Sequence, residues 1–151
     1  MTWGTRGTLV VMVTGVFALP ALAQLAGIKS EPDPEKRSEA ALLHAEKQLK
    51  AARISYQEVR MEEVQGQIRE ATEAVVLSLE SLEATRKDPR KKSKYFKKAE
   101  IKTRQLLREA DQFSQAMSVN DRQIVDPLIQ ELRRVNEALV LGIMGGKPRK
   151  E

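Results

Sequence analysis

The sequence predicts an all-α fold in which one long N-terminal helix packs with two shorter antiparallel helices, as a three-helix bundle or coiled-coil hairpin. Two observations support this fold. Apolar residues recur at spacings of three and four, and helix start and stop signals bracket the stretches that carry them. Aromatic residues make up only 4% of the 151 residues, which disfavours a β-sandwich or an aromatic ligand pocket. The length fits a single domain.

The first 23 residues have the order of a secretory signal peptide. A positive start precedes an apolar run from Leu9 to Leu19, and Ala21 and Ala23 fit the small-x-small rule for cleavage. We therefore expect cleavage after Ala23 and export to the periplasm or the extracellular space. The alternative is an uncleaved inner-membrane anchor, because the apolar stretch from Thr8 to Ile28 approaches the ~20 residues that a membrane span needs.

The rest of the chain divides into three segments. Residues 24–33 contain glycine, serine and proline and are expected to form a flexible linker. Residues 34–146 carry the helical pattern and form the predicted domain. Residues 147–151 form a loose basic tail after a pair of glycines that ends the last helix.

A single long helix is predicted from Glu35 to about Lys87, because nothing except a tolerated Gly66 interrupts the helical pattern. Asp33 can cap its exposed amides, and Pro34 suits the first helical position. The leading half carries an apolar seam at heptad-like spacing. Its candidate partner-binding residues are Leu42, Leu49, Tyr56 and Val59. We expect the two shorter helices to leave this half uncovered, so that it binds a protein partner or a second copy.

Two shorter helices are predicted after Pro89, since the residue before a proline is pushed out of helical geometry. Ser93 is expected to cap the first of them, whose apolar stripe runs from Phe96 to Met117. The second starts at Asp126-Pro127, and its stripe runs from Leu128 to Ile143.

Charge is segregated along the chain. The whole sequence carries +5 at pH 7, but residues 84–108 hold eleven bases against two acids, a net of +9. We use the name basic elbow for nine of these bases, which surround the junction between the long helix and the next: Arg86, Lys87, Arg90, Lys91, Lys92, Lys94, Lys97, Lys98 and Lys102. Such a cluster attracts anionic lipid heads, phosphate-rich polymers or acidic protein segments.

Two interpretations of the basic elbow stay open. Its bases are either solvated and paired with the acidic long helix, or they bind an anionic partner. Tyr95 and Phe96 offer shallow lipid anchors, although Phe96 also fits the apolar stripe and hence the core. An exported protein rarely meets nucleic acid. As candidate partners of the basic elbow, a protein and an anionic membrane surface therefore rank above nucleic acid.

The sequence carries no recognisable catalytic or metal-binding pattern. It has no cysteine and one histidine, His44, which excludes disulfides, thiolate metal sites and multi-histidine sites within one chain. The pairs Glu70-x-x-Glu73 and Glu80-x-x-Glu83 lack the Glu-x-x-His motif of di-iron bundles and are expected to face solvent. His44 is expected to be a surface or partly buried residue. We therefore expect a protein that is not an enzyme, with no cofactor, metal or small-molecule substrate.

The chain is similar to the trimeric periplasmic holdase chaperones and to small metal-stress helical proteins of the periplasm in its export signal and helical pattern. It departs from the former because Gln24–Asp33 and the last ten residues show no strand pattern. It departs from the latter because it has no Leu-Thr-x-x-Gln repeat, so no functional residue is carried over from either family. The sequence thus predicts an exported binding or scaffold protein of the cell envelope, chaperone-like in general character. The alternative is a peripheral membrane protein that docks on anionic lipid through the basic elbow.

Overall fold

The computed structural model describes residues 19–145, which form helices and no strand. The α-helices of this part are α1 (Leu19–Lys29), α2 (Pro34–Gln57), α3 (Met61–Ala84), α4 (Ser93–Ala116) and α5 (Asp126–Met144), with a 3-10 turn at Arg122–Ile124. The all-α prediction is therefore confirmed for these residues. Most of the predicted signal peptide and the whole basic tail, residues 147–151, lie outside the described part.

The prediction of one long helix is wrong, because the chain reverses direction at residues 58–60 and forms two helices of equal length. The side-chain contacts between them are Ser38 with Ser78 (2.8 Å), His44 with Glu70 (2.7 Å) and Ser55 with Glu63 (3.3 Å). The residue number rises along α2 as it falls along α3, so the two helices are antiparallel. Gly66, where the sequence pattern changes phase, lies inside α3 without breaking it.

A Schellman motif ends α2. The Arg60 amide donates to the carbonyl of Ser55 (2.9 Å), and the Val59 amide donates to the carbonyl of Tyr56 (3.0 Å). This motif needs a left-handed residue after the helix, and Val59 occupies that position with φ 58°. Glycine is usual there, because a Cβ, and especially a β-branched one, crowds the backbone in this conformation.

A Val59→Gly variant is expected to be more stable than the wild type by about 1 kcal/mol, because glycine adopts the left-handed conformation without steric cost. Little packing is lost, since Val59 is 78% exposed. Urea unfolding of both proteins measures the difference. Val119→Gly is the matched control, because Val119 is 77% exposed but has a negative φ. A Val59→Gly protein that is no more stable than the wild type would show that the left-handed conformation of Val59 carries no strain.

The four long helices pack as a bundle with α2 against α3, α3 against α5, α5 against α4, and α4 against α2. Contacts of Glu39 with Lys98 and of Glu46 with Lys102 show that α2 and α4 run parallel. Since α3 and α4 lie across a diagonal of the bundle and touch each other less than either touches α5, the connection over residues 85–92 crosses one end of the bundle. This crossing places the basic elbow at that end.

The core lies between these helices and includes the predicted stripes of α4 and α5. All of the following are buried: Phe96, Ala99, Thr103, Leu106, Ala110, Phe113, Met117, Leu128, Leu132, Val135 and Leu139. The structure therefore confirms the two stripes that the sequence pattern predicted. Ile143 is partly buried and packs against the same core.

The prediction that the α2 seam lies uncovered is also wrong. Leu42 and Leu49 are 3% and 1% exposed and belong to the core, because the reversal at residues 58–60 lays α3 on α2 and α4 covers it from the other side. Tyr56 is half-buried, and its hydroxyl donates a hydrogen bond to the carboxylate of Asp121 (3.0 Å). Val59 alone of these four residues is exposed, at the turn.

The segment predicted as a flexible linker is mostly helical. α1 continues to Lys29 and packs against α2 and α3, and Leu25 is 2% exposed within the core. Only residues 30–33 connect it to α2, where Asp33 caps the helix as predicted by accepting the amides of Glu35 and Lys36. In the described part of the chain, no helix combines the length and apolarity needed to cross a membrane.

Candidate functional site: the basic elbow

Asp88 organises the loop that carries the basic elbow. Its carbonyl accepts the amides of Lys91 (3.1 Å) and Lys92 (2.9 Å), and its carboxylate accepts the amide of Arg90 (2.9 Å). The neighbouring Pro89 contacts α5, where a Cβ at Gly142 would meet its ring at 3.3 Å. The loop is therefore fixed on the end of the bundle by its own hydrogen bonds and by the last turns of α5.

The start of α4 differs from the prediction. The preceding helix, α3, already ends at Ala84. Ser93 is the first residue of α4, and no side-chain hydrogen bond caps the start of this helix. The exposed amides of this first turn carry the positive end of the helix dipole. They add to the positive charge of the basic elbow around them.

Four of the nine bases form ion pairs, and three of them pair with acidic residues of the predicted long helix, as one interpretation expected. The pairs are Lys87 with Glu35 (2.7 Å), Lys98 with Glu39 (3.1 Å), Lys102 with Glu46 (2.6 Å) and Arg90 with Asp88 (3.2 Å). Three of the four acids lie on α2. This pairing follows from the parallel contact of α2 with α4, which lays an acidic helix along the basic one.

The pKa values of three paired groups, Glu46, Asp88 and Lys87, are shifted by their partners. The Lys102 ammonium, and next to it Lys50, holds the pKa of Glu46 below its usual range by hydrogen bonding to the carboxylate. The Arg90 side chain and then its amide lower the pKa of Asp88, and the hydrogen bond to Glu35 raises the pKa of Lys87. These shifts keep Glu46, Asp88 and Lys87 charged throughout the neutral pH range.

The other five bases of the elbow are exposed and have no ion pair with any residue between 19 and 145. They are Arg86, Lys91, Lys92, Lys94 and Lys97. All five fall within twelve consecutive residues at one end of the bundle. The acidic residues of α2 thus neutralise the side of the elbow that faces α2 and leave the end surface positive.

The two aromatic residues of the elbow are not free lipid anchors, so this part of the prediction is wrong. Phe96 is 5% exposed and lies in the core. Tyr95 is partly buried against the core, and the ammonium groups of Lys94 and Lys98 lie 5.6 and 5.8 Å from its ring centre. Cation–π contacts of this kind hold the lysine stems against the ring.

The expectation that His44 and Glu70 lie near the surface is wrong. They are 3% and 6% exposed, and Nε2 of His44 lies 2.7 Å from Oε1 of Glu70 between α2 and α3. The carboxylate oxygen of Glu70 accepts this bond and Nε2 of His44 donates it. The spacing held a signal for this burial, because His44 follows Ala41 by three residues and precedes Gln48 by four on the buried face of α2.

The surroundings of the His44–Glu70 pair are small and polar. No group of three or more histidine, aspartate or glutamate residues within 19–145 is placed to hold a metal ion. The adjacent buried contact joins the hydroxyls of Ser38 and Ser78 at 2.8 Å. Small and polar side chains therefore fill the α2–α3 contact, and the pair fixes its register.

A second surface feature, missed from the sequence, is an apolar groove of about 290 Å³ between α2 and α4. Leu42, Leu43, Tyr95, Ala99 and Ile101 line it. Leu43 is 49% exposed and Ile101 is 56% exposed. Neither residue belongs to the regular apolar stripe of its helix, so the sequence pattern gives no signal for the groove.

No protein-family model matches the chain, and no curated protein or solved structure is significantly similar to it. The charge and shape of the described surface therefore carry the functional interpretation.

Proposed function

We propose that this chain is an exported, non-enzymatic helical binding or scaffold protein of the cell envelope, and that its basic elbow docks on an acidic surface of a partner protein. The observation that supports the proposal most is the set of five exposed bases that have no ion pair within residues 19–145. They form a concentrated positive surface on a rigid bundle end.

Electrostatics explains why such a surface favours an acidic partner. Five like charges close together on one surface repel one another, and this repulsion falls when a negative surface approaches. The same field accelerates the encounter with that surface, which makes association strongly dependent on salt. The paired bases contribute less, because Glu35, Glu39 and Glu46 already offset their charge.

Docking on anionic lipid is the second candidate function, and the placement of the five bases at one end of the bundle favours it. An end surface can lie flat on a membrane, where each base near anionic lipid contributes about 1 kcal/mol. Burial of Phe96 and the lysine contacts of Tyr95 leave no free aromatic anchor at the elbow. Lipid binding would therefore depend on charge alone, and we rank the acidic protein partner first.

Export is the part of the proposal that depends on the sequence pattern of residues 1–23. The intact mass of the chain recovered from fractionated native cells distinguishes the two forms. A soluble species that begins at Gln24 supports an exported binding protein. A membrane-bound species that retains Met1 supports an anchored helical scaffold. A cytoplasmic species that retains Met1 would contradict export.

A triple variant, Lys91→Gln/Lys92→Gln/Lys97→Gln, tests the role of the elbow. We expect it to bind poly-glutamate at least tenfold more weakly than the wild type. On phosphatidylglycerol vesicles, any binding should fall about hundredfold, at about 1 kcal/mol for each base lost. Fluorescence anisotropy measures the first affinity and vesicle sedimentation the second, on protein purified from the native host.

The matched control is Lys47→Gln/Arg69→Gln/Arg122→Gln, which removes the same charge from exposed bases that form no ion pair within residues 19–145. It should keep nearly the affinity of the wild type. Equal weakening of the two variants would contradict a specific elbow and leave only net charge. Binding to phosphatidylglycerol vesicles with none to poly-glutamate would replace the protein partner with lipid.

A further inference from the structure

We propose that the acidic surface on which the basic elbow docks is α3 of a second copy of this chain, so that copies assemble side by side. The proposal deepens the function proposed above and rests on it, because Lys94 and Lys97 belong to the basic elbow. It depends on two observations: matching charge patterns on α3 and α4, and the positions of these two helices across a diagonal of the bundle.

The outer face of α4 carries a basic stripe that begins in the elbow. We use this name for Lys94, Lys97, Ile101 and Arg104, which are exposed and lie on one side of the helix because they are spaced by three, four and three residues. Lys94 and Lys97 have no ion pair within residues 19–145. Arg104 lies 3.5 Å from Glu100 of its own helix and is 56% exposed. The stripe therefore presents positive charge to the surroundings on both sides of an exposed isoleucine.

The outer face of α3 carries an acidic stripe with the same spacing. It consists of Glu73, Val76, Glu80 and Glu83, which are also separated by three, four and three residues. The three glutamates are exposed and have no ion pair with any residue between 19 and 145. Val76 is partly exposed between them. In contrast to the glutamates of α2, which pair with lysines of the elbow, these three carry charge that no base in this part of the chain offsets.

The two stripes complement each other when the helices lie antiparallel. The facing pairs are then Glu83 with Lys94, Glu80 with Lys97, Val76 with Ile101 and Glu73 with Arg104. Opposite charges meet at three of these positions and aliphatic side chains meet at the fourth. A shift by one turn in either direction loses this match, because a charged side chain then faces Val76 or Ile101. The match spans about three helical turns and ends at the next turn, where Arg69 faces Arg108.

A single chain cannot bring its own two stripes together. Because α3 and α4 lie across a diagonal of the bundle, the acidic and the basic stripe are exposed on opposite sides of it. A second copy that points in the same direction brings its α4 antiparallel to α3 of the first copy. This need for a second molecule, together with the shared spacing, is the reason to choose a copy of the chain as the partner.

The contact joins two different surfaces, so each pair of copies retains one free stripe of each kind. Further copies can therefore add to form a row or a ring. Because all copies point in the same direction, their elbows lie at one end of the assembly. The elbow bases outside the stripe, such as Lys91 and Lys92, are then repeated along that end, and their contacts with a larger acidic surface reinforce one another.

Charge reversal tests the contact by sedimentation velocity at low salt. We expect the wild type, purified from the native host, to associate as its concentration rises and to dissociate at high salt. The variants Glu80→Lys/Glu83→Lys and Lys94→Glu/Lys97→Glu should each raise the dissociation constant about tenfold or more, because like charges then meet. An equimolar mixture of the two should associate again, since the unchanged α3 of one variant meets the unchanged α4 of the other. A wild type that stays monomeric, or a mixture no more associated than either variant alone, would overturn the proposal.

The matched control is Glu62→Lys/Glu137→Lys, which makes the same change of charge at exposed glutamates outside the facing pairs. It should associate as the wild type does, and circular dichroism should show an unchanged helix content in every variant. A control that loses association as fully as Glu80→Lys/Glu83→Lys would also overturn the proposal. The latter variant keeps every base of the elbow and should bind poly-glutamate at least as tightly as the wild type. A wild type that binds poly-glutamate without self-association would overturn this inference and leave the proposed function intact.

Disulfide trapping tests the register, because the chain has no cysteine of its own. One variant carries Val76→Cys and a second, differently tagged, carries Ile101→Cys. We expect mild oxidation of the mixture to give mainly the disulfide between the two variants. Equal yields when Val119→Cys replaces Ile101→Cys, or a main product that joins two Val76→Cys chains, would overturn the antiparallel contact of α3 with α4.

Discussion

Replacing His44 with alanine is expected to lower the free energy of unfolding by about 3–5 kcal/mol, as measured by urea denaturation at neutral pH. The reason is the buried pair of His44 with Glu70, whose two side chains are 3% and 7% exposed. Without the imidazole, the Glu70 carboxylate stays buried between α2 and α3 and loses its hydrogen bond to Nε2 of His44. Burial of an unpaired charge is among the most destabilising changes a single substitution can cause.

A double variant, His44→Leu/Glu70→Leu, separates the missing partner from the missing contact. Replacing both members of a buried pair with apolar side chains is often neutral or stabilising. We therefore expect the double variant to regain most of the stability that His44→Ala loses. A loss below about 1 kcal/mol for His44→Ala would indicate a solvated surface pair. That result would contradict the close packing of α2 against α3.

Replacing Leu49 with alanine is expected to cost about 2–5 kcal/mol, because the truncation leaves a cavity in a close-packed core. Leu49 is 1% exposed, near the middle of α2. Denaturant titrations at several protein concentrations measure the change. Since the contacts of Leu49 lie within one chain, the cost should not depend on protein concentration.

Ile54→Ala provides the matched control for this measurement. Ile54 lies on the same helix but is 55% exposed, and a surface truncation of this kind usually changes stability by less than about 0.5 kcal/mol. A small, concentration-dependent effect at Leu49 would favour the open seam that the sequence pattern predicted. Equal effects at Leu49 and Ile54 would likewise argue against the bundle.

The helices α4 and α5 and the start of α2 could be predicted because their signals are local. Spacing of three and four placed the buried faces of α4 and α5, and Pro127 and Gly145 marked the two ends of α5. Capping chemistry correctly placed the start of α2 at Asp33. Charge segregation identified the basic elbow without any knowledge of the fold. These features depend on residues that are near one another in the chain.

The reversal between α2 and α3 could not be predicted from the same rules. The chain turns at Val59 with neither glycine nor proline in residues 58–60, so the helical pattern continues through the turn. This error also affected the prediction of buried residues. The predicted unbroken helix left Leu49 uncovered and His44 without a partner, whereas the observed reversal buries both residues. The division of the elbow into paired and unpaired bases also depends on which acids of α2 reach α4.

A chemical-shift map of the isotope-labelled protein, titrated with poly-glutamate at low salt, tests most directly whether the basic elbow is the binding surface. We expect the largest amide shifts to cluster between Arg86 and Lys97 and to disappear at high salt. We expect little change at Lys47 and Arg122, which are exposed bases elsewhere on the bundle. Binding with shifts spread evenly over all exposed bases, or centred on the α2–α4 groove, would show that the basic elbow is not the binding surface.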